Sequence, residues 1–345
     1  MTAFSLKIRL FSTLLTVLFL AIFSTGTMAQ EAGQGHVDEH TEELNVSKVI
    51  IDHVLDDHVW HFTDNAVLHL PVIVYSKEKG LDVFSSSNFY GEHHEIVPYK
   101  GYKLEENKIY LQDTGESVLD LSITKNVAML LINAALMLII FLTVASSYKK
   151  NRLKAPTGIQ SFIEPIIVFV KDEIVKPNIG HHYEKFLPYM LTLFFFILFG
   201  NLLGLLPGAA NLTGNIAVTM TLAVLTFIIT NVSGNKAYWA HIFWTPGVPL
   251  PLRLVILPVE IVGIFTRPFS LMIRLFVAIT AGHIVLLSLI CLTFIFHSVV
   301  VGGVASLIVL FINLIEILVA AIQAYVFTLF SCVYVGMATA EHEHH

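Results

Sequence analysis

Residues 250–297 read LPLRLVILPVEIVGIFTRPFSLMIRLFVAITAGHIVLLSLICLTFIFH, and residues 300–338 read VVGGVASLIVLFINLIEILVAAIQAYVFTLFSCVYVGMA. Both runs are apolar almost throughout and are joined around Gly302-Gly303. As α-helices rising 1.5 Å per residue, each would be roughly 55–70 Å long. The hydrocarbon core of a bilayer is only about 30 Å thick, and ordinary tilts of about 20° do not absorb the excess. Either each run is broken, or the two form a long, steeply tilted hairpin. A hairpin of that kind needs something large to pack against within the bilayer.

The rest of the chain agrees with a membrane setting. Of its 345 residues 55% are hydrophobic and 13% charged, against roughly a quarter charged in soluble domains. The net charge of −6 gives no argument for nucleic-acid binding. No phosphate-cradling GxxxxGK[ST] loop is present; Ser233-Gly234-Asn235-Lys236 lacks the spacing and the hydroxyl. The two cysteines, Cys291 and Cys332, lie inside apolar stretches and do not suggest a disulfide framework. At the N-terminus, Lys7 and Arg9 precede an apolar run from Leu10 to Phe23 and the small-residue site Thr27-Met28-Ala29. Residues 1–29 therefore read as a cleavable signal peptide, the other reading being a retained signal-anchor helix.

Residues 30–125 are polar, with eight of the sixteen histidines, among them His53, His58, His61, His93 and His94. No spacing matches a standard zinc site, so these histidines are expected at a solvated, pH-responsive surface. Strand-like alternation runs over Ala66–Tyr75, Lys103–Leu111 and Val118–Ile123, which suggests a small β-rich extracytoplasmic domain. Residues 126–345 form the membrane domain. Its first span, about 127–147, is followed by Lys149, Lys150, Arg152 and Lys154, a basic cluster that marks the cytoplasmic side. Ser161–Lys176 is too charged to span and reads as a helix on the cytoplasmic surface, ended by Pro177 and Gly180. Two ordinary spans, 186–206 and 216–232, are joined by an outer turn with Pro207, Gly208 and Gly214. A polar loop with Lys236, Trp239 and Trp244 leads into the two long segments. The expected fold is all-α and polytopic: three roughly perpendicular spans plus the hairpin, with the β-rich domain outside.

Charges within a membrane are costly, so each is a functional hypothesis. The first long segment carries Glu260, Arg267, Arg274 and His283; the second carries Glu316 and Gln323. Glu260, Arg267 and Arg274 are seven apart and stack near one helix face. Arginine keeps its proton at any biological pH, so Arg274 cannot relay protons. It can attract a partner's carboxylate and lower its pKa. His283 and Glu316 can change protonation and suit a relay. Gln323 can hydrogen-bond a guanidinium. Glu260 and Arg267 could instead form a structural pair.

The stretch Arg267-Pro268-Phe269-Ser270-Leu271-Met272-Ile273-Arg274-Leu275-Phe276, then Ala281-Gly282-His283, and Ile322-Gln323-Ala324-Tyr325-Val326-Phe327 on the next helix, resembles subunit a of F-type ATP synthases. Asn201 to Pro207 and Gly214-Asn215 are similar to the family's earlier hairpin. The resemblance implies a non-catalytic stator subunit with two offset half-channels. Its partners would be a ring of small subunits with membrane carboxylates, a peripheral-stalk membrane subunit and, indirectly, a soluble head. It implies Arg274 as the essential arginine, His283 and Glu316 in the outer half-channel, Gln323 beside the arginine and Glu260 in the cytoplasmic half-channel. Arg267, Asn215 and Asn201 are secondary candidates. Val277-Ala278 depart from the family's small residue and Asn after Arg-Leu-Phe. No cofactor and no metal are called for, and H⁺ rather than Na⁺ is the expected ion. A secondary transporter, and a sensor working through the His-rich region, are the alternative readings.

Overall fold

The computed structural model describes residues 56–340 apart from 64–65, 78, 91–95, 106, 113, 151–155, 157, 207, 244–248 and 297–298. The signal-peptide reading, His53, His93, His94 and Trp244 lie outside the described residues, as does the side chain of His61.

Among the described residues, seven short strands precede the α-helices: β1 (Val59–Thr63), β2 (Ala66–His69), β3 (Pro71–Ser76), β4 (Gly80–Ser85), β5 (Tyr102–Glu105), β6 (Lys108–Leu111) and β7 (Leu119–Asp120). They pair antiparallel as β1-β2, β4-β3-β7 and β5-β6. The expected single strand Ala66–Tyr75 is two strands in different sheets. It divides at Leu70, whose N–H donates to His58 O and whose carbonyl accepts from Ser86 N. Likewise Lys103–Leu111 folds back on itself as a hairpin at Asn107, which takes a φ of 61°, a left-handed conformation that Asn tolerates better than most residues. Val72, Val74, Phe84, Phe89, Tyr102 and Leu104 form the core of this region, each large side chain contributing about 1.5–3 kcal/mol by its burial. His58 is not on a solvated surface: it is 2% exposed, and its Nε2 lies 2.9 Å from Asp120 Oδ2. Burial raises the Asp120 carboxyl, but the hydrogen bonds from His58 and Ser122 outweigh it and hold the group below the usual carboxylate range.

The helices are α1 (Lys125–Lys150), α2 (Ile159–Phe169), α3 (Tyr183–Gly204), α4 (Ile216–Val232), α5 (Lys236–Phe243), α6 (Leu250–Phe296) and α7 (Val299–Thr339). Among the described residues, the stretches 125–149, 159–204, 252–292 and 300–339 are each long and apolar enough to cross a membrane. The pair α4 and α5, bent by 102°, makes a fifth. The chain is thus a mostly helical polytopic membrane protein.

Three local expectations need correction. The segment read as a surface helix continues past Phe169 through a π-helical turn, Val170–Val175, and a last α-turn, Lys176–Ile179. Val170, Ile174 and Val175 are fully buried in the core shared with α3, α6 and α7, so this face is covered by protein. Pro177 does not end the helix, because near the start of a turn its missing N–H is not needed. The break falls at Gly180, whose φ of 75° only glycine adopts freely. Finally, the loop carrying Lys236 and Trp239 is the helix α5.

α6 and α7 run unbroken for 47 and 41 residues, about 60–70 Å each. Pro258 and Pro268 lie within α6 without ending it. α7 packs between α6 and α3, with Leu271 and Leu275 of α6 and Ala324, Phe327 and Val335 of α7 buried against Phe186, Met190 and Phe194 of α3. Gly336 of α7 abuts the backbone carbonyl of Asn178, an approach that no side chain would permit. Hydrogen bonds sort the helix ends into two groups. Trp60 Nε1 donates to Gly208 O at 2.6 Å, so the β region and the α3–α4 turn share one end. At the other end, Asn235 N and Nδ2 donate to the carbonyls of Ala338 and Ala340.

Candidate functional site

Because α6 is continuous, Glu260, Arg267 and Arg274 recur every two turns along it, and α7 runs back antiparallel beside them. The two arginines meet aromatic faces of α7. Arg267 Cζ lies 5.7 Å from the Tyr334 ring centroid and Arg274 Cζ 4.4 Å from that of Phe330. Arg274 Nη1 is buried and makes no hydrogen bond, and no carboxylate among the described residues forms an ion pair with this guanidinium. Gln323 is half-buried and makes no hydrogen bond to Arg274; Phe330 covers the guanidinium instead. Glu260 is half-buried and does not pair with Arg267; two helical turns separate them by about 10 Å along the axis. Beside Arg267 is a cavity of about 20 Å³ bounded by Thr226, Thr230, Asn231, Tyr238 and Tyr334. That space holds about one water.

Toward the α3–α4 turn the chemistry changes. His283 Nδ1 faces Glu316 Oε1 at 3.6 Å, and its Nε2 lies 3.2 Å from the carbonyl oxygen of Gly204. A carbonyl only accepts, so Nε2 must carry a hydrogen and donate it. Nδ1 is then the nitrogen left facing the carboxylate, and a proton can pass between the two. At 3.6 Å the two atoms are slightly beyond direct hydrogen-bond reach, and both are buried without another partner. They line a cleft of about 240 Å³ whose wall includes Leu205, Ala278, Gly282 and Ile315, ample room for a bridging water. Gly282 is what admits the carboxylate: a Cβ added there would meet Glu316 Oε1.

On this long antiparallel helix pair, a guanidinium that pairs with no carboxylate among the described residues is followed nine residues later by a histidine facing a glutamate. The sequence family described as ATP synthase A chain matches residues 127–336. The chain belongs to this family. A domain of unknown function matches residues 49–130. ATP synthase subunit a 2 of Chlorobaculum tepidum is 44% identical over 260 residues, covering 73% of each chain. ATP synthase subunit a 2 of Prosthecochloris aestuarii is 38% identical over 349 residues, covering 98% of this chain and 94% of that one.

Within this ATP synthase A chain fold the secondary candidates have structural hydrogen bonds. Asn201 is 1% exposed; its Nδ2 donates to Ala320 O, and its Oδ1 accepts from Thr213 Oγ1. It ties α3 to α7. Asn215 caps α4, its Oδ1 accepting from Ala217 N, as N-cap residues do. Of the departing pair, Val277 is exposed, while Ala278 faces the cleft. Two participants escaped sequence reasoning. Phe330 was one more aromatic in an apolar helix, and its spacing of seven from Gln323 was the only signal available. The Gly204 carbonyl carried none, because a backbone acceptor has no sequence signature.

Proposed function

We propose that this chain, the proton-translocating stator subunit of an F-type ATP synthase, moves protons through two offset half-channels that meet a rotating ring of carboxylate-bearing subunits at Arg274. The chain itself makes no ATP; that chemistry belongs to other subunits of the complex. A peripheral-stalk membrane subunit and the soluble head are its remaining partners in this reading. The N-terminal region faces the extracytoplasmic side, the C-terminus the cytoplasm, and the complex sits in the cell's inner membrane. The basic residues after α1 favour this orientation. α6 and α7 then lie steeply tilted against the ring, which accommodates helices twice as long as the bilayer is thick.

A proton enters from the outer side at the cleft, where His283 and Glu316 exchange it through water, and passes to a ring carboxylate. That carboxylate, neutral, turns away through lipid. A carboxylate arriving from the other direction gives its proton to the cytoplasmic half-channel near Glu260, because the fixed charge of Arg274 favours its ionised form. The same charge repels a proton that would cross directly. One charge falling through 100 mV releases about 2.3 kcal/mol, so several steps of the ring must be summed for each ATP. H⁺ is the ion, since a histidine–carboxylate pair can exchange protons and no oxygen cage accompanies it among the described residues.

The observation that carries this reading is the Arg274 guanidinium with no acid of its own chain beside it among the described residues. It is tested by Arg274→Ala in the purified complex reconstituted into vesicles. Proton-driven ATP synthesis is expected to fall to background; retained synthesis would refute it. The continuity of α6 and α7 speaks against a secondary transporter, which uses broken helices at its binding site.

A further inference from the structure

Proton exchange between His283 and Glu316 depends on which imidazole nitrogen carries the fixed hydrogen. A partner on the far nitrogen sets this, and here that partner is a backbone carbonyl at the end of a helix. Gly204 belongs to the last turn of α3, where carbonyls have no intrahelical donor. It is free to accept from His283, but its position is only as definite as the turn that follows.

From within, that turn is held by Ala209 N donating to Leu206 O and by Gly214 N donating to Asn211 Oδ1. From outside it is held by Trp60. The indole Nε1 donates to Gly208 O at 2.6 Å, and the ring is buried with Ala210, Leu212 and Met129. Gly208 takes a φ of 76°, so the carbonyl presented to Trp60 follows from a conformation that suits glycine.

Trp60 is itself anchored. His58 Nε2 meets Asp120 Oδ2 at 2.9 Å. Asp56 Oδ2 accepts from Thr124 Oγ1 at 2.8 Å and Asp56 Oδ1 from Asn126 N at 3.2 Å. Lys125 N donates to Asp57 O. Residues 56–60 thus form a strap from the first turn of α1 to the α3–α4 turn.

We infer that Trp60 is a positioning residue for proton uptake: through Gly208 it fixes the Gly204 carbonyl, which holds the hydrogen on His283 Nε2 and leaves Nδ1 free to exchange a proton with Glu316. This gives the region matched by a domain of unknown function a part in the transport step, and it rests on the reading of His283 and Glu316 as the outer inlet. The groups facing His283 in the cleft are few. Among the described residues Glu316 of α7 is the ionisable one, the Gly204 carbonyl comes from α3, and the Ile279 backbone comes from α6 itself.

The test is ATP synthesis per assembled complex in vesicles, measured against the pH of the outer compartment, for Trp60→Phe, Trp60→Ala and His283→Ala. Trp60→Phe keeps an aromatic ring in the cluster with Ala210, Leu212 and Met129 but loses the N–H together with the pyrrole half of the indole. It is expected to lower the rate about two- to tenfold, the factor carried by one ordinary hydrogen bond, and to displace the pH profile. Trp60→Ala is expected to do more of the same. A parental rate and profile for Trp60→Phe overturns the inference. So does its failure to assemble, which would assign the indole to folding alone. A parental profile for His283→Ala would instead overturn the reading of the inlet. An impaired His283→Ala beside a normal Trp60→Phe overturns the positioning role only.

Discussion

Nine residues of α6 separate Arg274, whose guanidinium lies 4.4 Å from the centre of the Phe330 ring, from His283, whose Nδ1 faces Glu316 at 3.6 Å. Both are basic side chains met by α7, yet α7 answers them differently. Opposite the arginine it offers an aromatic face, which attracts a cation without neutralising it. Opposite the histidine it offers a carboxylate, which takes up or yields a proton. The first arrangement suits keeping a charge and the second suits exchanging one. A carboxylate in the place of Phe330 would silence Arg274, and an aromatic ring in the place of Glu316 would leave His283 nothing to trade with.

The exchanging half should be the easier to disable by a single atom change. Glu316→Gln keeps the shape of the side chain but cannot pick up and release a proton. Proton-driven synthesis by the reconstituted complex is expected to fall about a hundredfold, the low end of what a positioned acid or base contributes. An unaffected rate would show that the two halves do not differ as described. Gly282→Ala leaves every ionisable group in place and only pushes the Glu316 carboxylate off its seat. An added carbon in a packed site costs about 1–3 kcal/mol. Synthesis is therefore expected to drop on the order of tenfold, with restoration by a second change that shortens the acid, Glu316→Asp. The ring beneath the conserved charge should respond least. Phe330→Leu removes the ring under Arg274 and is expected to reduce synthesis about two- to fivefold, the scale of a partly exposed cation–π contact. Phe330→Tyr, which keeps a ring face, should stay close to the parent. A drop after Phe330→Leu as deep as that for Glu316→Gln would mean that the ring does more than hold the guanidinium.

Much of this was legible in the chain because its vocabulary is coarse. The runs 250–297 and 300–338 announce membrane helices by length and apolarity alone, and the family follows from Arg-Leu-Phe, Ala-Gly-His and Gln-Ala-Tyr in order. Spacing placed Glu260, Arg267 and Arg274 in one stripe, because helical periodicity is fixed by backbone geometry. What lay beyond reading has a common cause. The helix over Lys236–Phe243, the burial of Val170 and Ile174, the ring beneath Arg274 and the Trp60–Gly208 bond are all decided by contacts between distant segments. His58 shows the point in miniature. By composition it belongs with a histidine-rich, solvated stretch, but Asp120, sixty-two positions away, turns it into a buried fastening.

Arg274 also says something about the life of the chain before it reaches its complex. A cation at bilayer depth without a counter-ion is costly, and here a lone copy must bear that cost with only an aromatic ring for company. In the proposed assembly, the acid that relieves it belongs to another polypeptide. On that reading a copy that is inserted but unassembled is less stable than one docked on its rotor, so the side chain proposed to drive transport would also make solitary subunits the first to unfold.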